Sequence, residues 1–196
     1  MGRGRVPRTR ERDRFRFRAG RLCLDFTSTV LWRRVEPTEL LRGPGDLTRW
    51  LAAAGLVGEG LVAGEDDVSL AVGVREAVYR LALARVRGAD WSPADLRVLN
   101  AAASFPLSTP SLHEDGTVSW DGPAPVRAAL AAVARDAIDL LASAPAARLR
   151  ECAADDCAFL FLDTSRPGRR RWCAMNRCGN RQHVRAFRER REAAAR

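Results

Sequence analysis

The sequence contains no lysine: all 33 of its basic residues are arginines. Together with the many alanines and glycines, this usage is typical of a GC-rich genome, so the number of arginines alone does not indicate nucleic-acid binding. No apolar run approaches the roughly 20 residues that a membrane-spanning helix needs. The N-terminus is basic but lacks the apolar stretch and cleavage site of a secretory signal. We therefore expect a soluble, cytoplasmic protein with no membrane partner.

Motifs for catalysis are also missing. The sequence has no nucleophile elbow, no phosphate-binding glycine loop and no paired-histidine motif, and its two histidines are His113 and His183. It has no C-x-x-C pair, which argues against a thiol redox centre. We therefore expect a protein that is not an enzyme.

The net charge of +9 is concentrated at the two ends of the chain. Residues 1–21 carry +7 and residues 151–196 carry +5, whereas residues 22–150 carry −3. The position of the arginines, more than their number, therefore favours an anionic partner that contacts the ends.

Hydrophobic patterning predicts a helix-rich α+β fold with two β-hairpins. Residues 1–13 are arginine-rich without periodicity, which predicts a disordered basic arm. Residues 14–29 alternate polar and apolar side chains around an Ala-Gly pair, which predicts a hairpin with Cys23 as buried filler. A second hairpin is predicted around the turn at 114–116.

Other segments have the spacing of amphipathic helices. Residues 66–87 and 123–143 carry apolar stripes typical of core helices, and Ser92 is a predicted cap for a helix between them. Asp46 is the predicted N-cap of a shorter helix that ends at Gly55.

An Ala-Pro segment at 144–147 marks a predicted boundary. It divides a helix-rich domain of residues 14–146 from a module of residues 147–196, which is too short to build its own apolar core. The module contains two C-x4-C pairs separated by 15 residues, formed by Cys152, Cys157, Cys173 and Cys178.

Four thiolates in two short loops can hold one structural Zn²⁺ in a closed tetrahedron. The commoner zinc loop is C-x2-C, so the spacing alone leaves two disulfides or free thiols as alternatives. A reducing cytosol disfavours the disulfides. We therefore predict one zinc ion, with no open position for catalysis.

The local patterns around these cysteines predict a treble-clef or ribbon-like module. Residues 159–162 form an extended apolar run, turn-forming residues follow, and residues 170–172 are predicted to return as the second strand. A helix is predicted from Asn180, which would cap it, with Val184 and Phe187 on its inner side.

Residues 152–181, CAADDCAFLFLDTSRPGRRRWCAMNRCGNR, resemble the zinc finger named for its Cys-Gly-Asn-Arg tetrad, here residues 178–181. The resemblance implies a zinc-binding, DNA-contacting module. One departure is His183, where the family usually has lysine, and this removes one fixed charge from the proposed nucleic-acid face.

The first domain also resembles a known partner of this finger. LCLDFTST at 22–29, DLTRWLAAAGL at 46–56 and VREAVYRL at 74–81 are similar to the ABATE-like domain found in stress-induced bacterial transcription regulators. The resemblance implies that this domain senses a signal. Residues 27–29 are Thr-Ser-Thr where the family more often has Val-Asn-Thr, so a ligand contact by that asparagine is not expected here.

Arginines of the module are the candidate nucleic-acid contacts. Three of them recur at i, i+4 and i+7 on the terminal helix, and four lie on the predicted hairpin; the guanidinium group suits both phosphate oxygens and guanine edges. They are Arg181, Arg185 and Arg188 on the helix, and Arg166, Arg169, Arg170 and Arg171 on the hairpin. A solvated basic face in an arginine-rich protein is the alternative.

The sequence therefore predicts a zinc-dependent, DNA-binding transcription regulator of the bacterial nucleoid. The alternative is a zinc module that binds protein or RNA without sequence-specific DNA recognition. A small-molecule effector is a further expected partner, with Asp25 as the candidate pocket group against a structural role as a carboxylate bonded to a turn. Homodimerisation is expected because one finger offers few contacts.

Overall fold

The computed structural model describes residues 14–58, 60–121 and 125–194, so the predicted arm at residues 1–13 lies outside the described residues. Among the described residues, six α-helices with full bounds and three two-stranded antiparallel sheets are present, and residues 14–15 are also helical. The helices are α1 (Leu22–Thr27), α2 (Pro44–Ala53), α3 (Glu65–Arg87), α4 (Pro93–Ala103), α5 (Pro125–Ala142) and α6 (Asn180–Ala194). The strands are β1 (Val30–Leu31), β2 (Thr38–Glu39), β3 (Thr109–Leu112), β4 (Val118–Asp121), β5 (Leu149–Glu151) and β6 (Leu160–Leu162).

Helices α1, α3, α4 and α5 build the core, as the apolar stripes at residues 66–87 and 123–143 predicted for α3 and α5. Leu81, Leu99, Leu130 and Leu140 are at most 2% exposed. Helix α3 ends at Gly88, whose φ of 65° lies in the left-handed region that glycine tolerates. These helix assignments and the β3–β4 hairpin are confirmed.

The predicted hairpin at residues 14–29 is wrong, because residues 22–27 form helix α1. The burial of Cys23, Leu24, Phe26 and Thr27 follows the helical spacing of i, i+1, i+3 and i+4, whereas the prediction considered only the alternating residues. Burial raises the pKa of the Cys23 thiol well above its ordinary value, consistent with its predicted role as filler.

The N-cap prediction for helix α2 is also wrong. The N-cap residue is Gly43, and Asp46 lies in the first turn of the helix. Its Oδ2 accepts a hydrogen bond from the Arg42 amide at 3.1 Å, and its Oδ1 pairs with Arg14 at 2.8 Å. Asp46 thus accepts, from inside the helix, a hydrogen bond from the residue that precedes the N-cap. Gly55, with φ of 76°, follows the helix end as predicted.

A buried ion network fastens the β1–β2 hairpin to α3. Arg75 is 2% exposed, and its two terminal nitrogens each donate to Glu39 at 2.7 Å. Its Nε donates to Glu76 at 2.8 Å, and Nη1 also reaches the Thr29 hydroxyl at 3.2 Å. Glu76 in turn accepts two bonds from Arg33, at 2.7 and 2.9 Å. This fully paired guanidinium explains why an arginine can occupy the core.

The C-terminal module shares the core of the first domain. A short 3₁₀ helix, Ala144–Arg148, leads into β5, which pairs antiparallel with β6. Leu149, Leu160 and Phe161 are at most 2% exposed within the same core, and the Leu162 amide donates to the Ala19 carbonyl at 2.8 Å. The domain boundary at 146/147 stays a prediction, and buried side chains run continuously across it.

Among the described residues, none of the helices is both long enough and apolar enough to cross a bilayer.

Candidate zinc centre and basic surface

The four cysteines of the module converge on one point. Their sulfur atoms all lie within 4.8 Å of one another, and all four side chains are buried. The Cys157 and Cys173 sulfurs are 3.9 Å apart, and those of Cys173 and Cys178 are 3.5 Å apart. A tetrahedron with Zn–S bonds of ~2.3 Å has sulfur separations of about 3.8 Å, so the cluster fits zinc. The chain therefore contains a single structural zinc site.

The first cysteine pair is positioned by strands β5 and β6. Cys152 follows β5 and Cys157 lies shortly before β6, so the hairpin turn itself forms the first cysteine loop. The Cys152 amide donates to the Phe159 carbonyl at 2.9 Å, which closes this loop. The predicted pairing of residues 159–162 with residues 170–172 is therefore wrong. Leu149 is buried on the partner strand that β6 pairs with instead.

The second cysteine pair is brought alongside the first by the backbone. The Ala153 amide donates to the Arg171 carbonyl at 2.9 Å, and the Cys173 amide donates to the Cys152 sulfur at 3.3 Å. Cys178 lies in a π-helical turn, Met175–Gly179, that continues directly into α6. Asn180 has ordinary helical angles inside this continuous helix, so its predicted capping role is wrong.

Buried Asp163 organises the loop between the two pairs. Its carboxylate accepts bonds from the Ser165 amide at 2.9 Å, the Ser165 hydroxyl at 2.6 Å and the Arg170 amide at 2.9 Å. Burial acts to raise the pKa of Asp163, but these hydrogen bonds lower it below its ordinary value. Its position in the turn-forming run was visible in the sequence, but its set of donors was not.

Without a metal, the thiols perturb one another. Hydrogen bonds from Cys157 and Cys173 lower the pKa of Cys152 to about 2. Hydrogen bonding with the Cys152 thiolate in turn raises the pKa of Cys157 and brings that of Cys173 to about 12. Close thiolates repel, so only a bound cation can keep all four ionised.

The loop arginines differ in availability. Arg166, Arg169 and Arg171 are exposed. Arg170 is not free, because its Nε donates to the Trp172 carbonyl at 2.9 Å, its Nη2 to the Cys173 carbonyl, and its guanidinium lies 4.4 Å from the centre of the Phe161 ring. Arg170 thus stabilises the backbone at the start of the second cysteine pair.

The terminal helix has a different orientation from the predicted one. Val184 and Phe187 are 49% and 54% exposed, so their predicted inward packing is wrong. Two arginines of the predicted stripe turn back toward the first cysteine loop: Arg181 pairs with Asp156 at 2.9 Å and Arg185 with Asp155 at 2.8 Å. The side chain of Arg188 lies outside the described part of the structure.

His183 stays outside the metal cluster, as predicted. Its ring contacts Trp172 edge-on, with ring centres 5.2 Å apart.

Asp25 is bonded to a turn. Its Oδ1 accepts the Arg18 and Ala19 amides at 2.7 and 2.8 Å. These bonds fix the backbone just before α1. They correspond to the structural role, a carboxylate bonded to a turn, that was the alternative to ligand binding. A ligand contact by Asp25 stays a prediction.

A pocket of about 260 Å³ lies where the β1–β2 hairpin meets the module. It is lined by Trp32, Val35, Glu36, Thr38, Asp156 and Arg181. The Arg181 guanidinium lies 4.8 Å from the centre of the Trp32 ring, and Trp32 has a left-handed φ of 54°. Such strain in a bulky residue is unusual, and the surrounding packing must offset it. Sequence reasoning missed Trp32 because no adjacent residue signals its left-handed φ, and its ring contacts Arg181, which is distant in the sequence.

These features define a class of protein, a four-cysteine zinc-finger protein whose finger is packed against a helical domain. The chain belongs to the ABATE family, whose model matches residues 20–144 and carries the description "Putative stress-induced transcription regulator". The model of the CGNR zinc finger matches residues 148–191. Comparison with curated proteins finds no match.

Proposed function

We propose that this protein is a zinc-dependent, DNA-binding transcription regulator in which the finger and helix α6 contact DNA. The observation that carries the proposal is the position of α6. The helix continues from the π turn that holds Cys178, so zinc sets its direction, and it presents arginines at the surface. Exposed guanidinium groups on a rigid support are suited to phosphate binding.

The proposed contact surface, called the basic surface below, differs from the predicted set. It comprises Arg166, Arg169 and Arg171 on the loop and Arg181 and Arg185 on α6. Arg170 is left out because its guanidinium already donates hydrogen bonds to two carbonyl oxygens. The aspartate partners of Arg181 and Arg185 would have to give way to DNA phosphates. These pairs are largely exposed and therefore weak, so the exchange costs little.

A salt series of duplex binding tests this proposal. Binding by wild type, an Arg169→Ala/Arg171→Ala variant and an Arg97→Ala control is measured by fluorescence anisotropy, because Arg97 is an exposed arginine of the first domain. Each lost phosphate contact should reduce the slope of log K against log salt by about 0.9. The proposal fails if wild type prefers no duplex over random competitor, or if the double variant keeps the slope of the control.

The exposed apolar face of α6 favours a second candidate function, protein docking. Val184 and Phe187 lie one helical turn apart and are about half exposed. Replacing Phe187 with serine should abolish a protein interaction but leave the salt slope of DNA binding unchanged. Loss of duplex binding in this variant would instead place Phe187 at the DNA.

We further propose that the first domain senses a small molecule and that neither domain is an enzyme. The pocket beneath Arg181 is the candidate effector site because a ligand there would contact both the β1–β2 hairpin and the finger. A closed four-thiolate site has no position for a reactive water, which supports a non-catalytic zinc. Compounds that raise the Tm of wild type but not of a Trp32→Ala variant would support the pocket; shifts of equal size in both would exclude it.

We also propose that the protein binds DNA as a homodimer, because a single finger offers few contacts. Light scattering of the free protein and of its DNA complex measures the number of chains in each. One chain per duplex at saturation would contradict this proposal.

A further inference from the structure

The pocket between the β1–β2 hairpin and the finger is lined by a cation that lies against an aromatic ring. The Arg181 guanidinium lies 4.8 Å from the centre of the Trp32 ring. Arg16, which is not among the described residues that line the pocket, places its guanidinium 5.5 Å from the same ring centre. The face of a tryptophan ring attracts cations. The Trp32 ring is therefore a cation-binding surface that arginines of the chain itself contact in this structure.

Acidic groups outnumber basic ones in the described lining of this pocket. The lining contains two carboxylates, those of Glu36 and Asp156, and one basic side chain, that of Arg181. Glu36 is exposed and forms no ion pair within residues 14–58, 60–121 and 125–194. If Arg181 leaves, the Trp32 ring remains beside two carboxylates that no lining cation neutralises. The charge of the pocket therefore favours a positively charged ligand over an anion.

Two neighbouring arginines hold the hairpin wall of the pocket in place. Arg33 donates to the Glu76 carboxylate on α3 at 2.7 and 2.9 Å. Arg34 donates from Nη1 to the Ala154 carbonyl, in the first cysteine loop, at 3.2 Å. These bonds fix the loop that carries Trp32 to both the first domain and the finger. The cavity thus does not depend on the arginine that lines it.

The size of the pocket restricts the ligand. Its volume is about 260 Å³. Sites for drug-sized molecules measure roughly 300–1,000 Å³, so this pocket suits a smaller molecule. A substituted ammonium ion combines small size, positive charge and an apolar surface that can lie against a tryptophan ring.

Arg181 belongs to the pocket and to the basic surface. Its two terminal nitrogens both pair with Asp156, Nη1 at 2.9 Å and Nη2 at 3.0 Å. The guanidinium must leave this carboxylate before it can form a paired contact with a DNA phosphate. A ligand that replaces it in the pocket would therefore make Arg181 available to DNA, and the two binding events would strengthen each other equally.

We propose that the pocket binds a small organic cation of the substituted-ammonium class, which takes the place of Arg181 over Trp32 and beside Asp156 and releases Arg181 to DNA. The inference rests on the effector-sensing and DNA-binding parts of the proposed function. It assigns a charge to the effector and a direction to its effect: the cation strengthens DNA binding.

Isothermal titration of the full-length, zinc-loaded protein tests the ligand class. The probe is choline, and the comparison is its uncharged isostere neohexyl alcohol, in which carbon replaces the nitrogen. Wild type should bind choline at least about fivefold more tightly than the isostere. Trp32→Leu should lose this preference, whereas Trp91→Leu, which alters a partly exposed tryptophan of the first domain, should keep it.

Removal of the internal competitor gives a second, opposite effect. Arg181→Ala should bind choline about fivefold more tightly than wild type, because no guanidinium has to be displaced. Arg185→Ala is the matched control for choline binding, since it removes an arginine–aspartate pair of the same cysteine loop that does not line the pocket. Its choline affinity should equal that of wild type.

Two results would overturn the ligand class. One is equal binding of choline and neohexyl alcohol by wild type, and the other is a choline affinity of Arg181→Ala no higher than that of Arg185→Ala. Both arginines are exposed, so these variants decide the matter even if Trp32→Leu does not fold. Binding of benzoate that depends on Trp32, without binding of choline, would overturn the cation and leave the effector pocket standing.

Duplex binding tests the release of Arg181. Anisotropy titrations at saturating choline chloride are compared with titrations in sodium chloride of the same ionic strength. Choline should strengthen duplex binding by wild type about twofold and should not change that of Arg181→Ala. Unchanged or weaker binding by choline-loaded wild type would overturn the release. Absence of any duplex binding would instead contradict the proposed function, and the choline titrations, which contain no DNA, would still decide the ligand class.

Discussion

Removal of one zinc ligand should release the terminal helix and leave the rest of the module in place. We consider Cys173→Ser, which deletes a thiolate from a closed four-ligand site. Helix α6 has little else to hold it: its Val184 and Phe187 side chains are about half exposed. Its ion pairs with Asp155 and Asp156 are partly solvated and contribute about 0.5 kcal/mol each.

Strands β5 and β6 are held differently. Leu149, Leu160 and Phe161 are almost fully buried against the first domain. At about 2 kcal/mol each, their burial contributes up to about 6 kcal/mol, an upper estimate because the unfolded chain is already partly compact. This contribution does not require zinc.

Hydrogen exchange followed by mass spectrometry measures the difference. In Cys173→Ser, and in wild type treated with chelator, residues 175–194 should lose protection while residues 149–151 and 160–162 keep it. A Cys23→Ala variant, which alters the buried cysteine outside the cluster, should retain both zinc and protection. Equal loss of protection across residues 149–194 would refute this reasoning, because the module would then be an independent zinc-stabilised unit. Unchanged protection in α6 would refute it as well.

Three further predictions concern charge. Asp155→Asn combined with Asp156→Asn should strengthen duplex binding about fivefold, because about 1 kcal/mol of competing ion pairs is removed; unchanged affinity in an anisotropy titration would show that the pairs do not compete with DNA. Zinc affinity should rise with pH, because zinc must displace the protons that the raised pKa values of Cys157 and Cys173 retain at neutral pH. The chelator-competition constant should therefore increase by at least about two log units per pH unit near pH 7, and a flat profile would contradict a proton-linked site. Arg75→Met should lower stability by about 2 kcal/mol, or Tm by about 6 °C, since Glu39 loses its guanidinium partner while Glu76 keeps Arg33; a calorimetric Tm equal to wild type would count against this.

Some predictions that depended on local chemistry were confirmed, whereas the caps predicted at Asp46 and Asn180 were wrong. The end of α3 at Gly88 and the start of α4 at Ser92 follow from the backbone preferences of single residues. The β3–β4 hairpin likewise follows from its turn residues. The incorrect hairpin at residues 14–29 arose because alternation and helical periodicity cannot be distinguished over six residues, and packing against α5 then selected the helix. Arg21 of this segment pairs with Asp136, 115 positions away.

The sequence by itself indicated the metal and its four ligands, through the two C-x4-C pairs and the resemblance of their surroundings to a zinc finger, since the spacing alone left disulfides and free thiols as alternatives. It also determined that arginines would lie near the cysteines. Only the tertiary structure decided what those arginines do. Arg170 turns inward, Arg181 and Arg185 meet aspartates of the first cysteine loop, and the Arg18 guanidinium lies 5.5 Å from the centre of the Phe159 ring that follows Cys157. Charge interactions of this kind depend on distance in space and on burial, and neither quantity is encoded in the order of neighbouring residues.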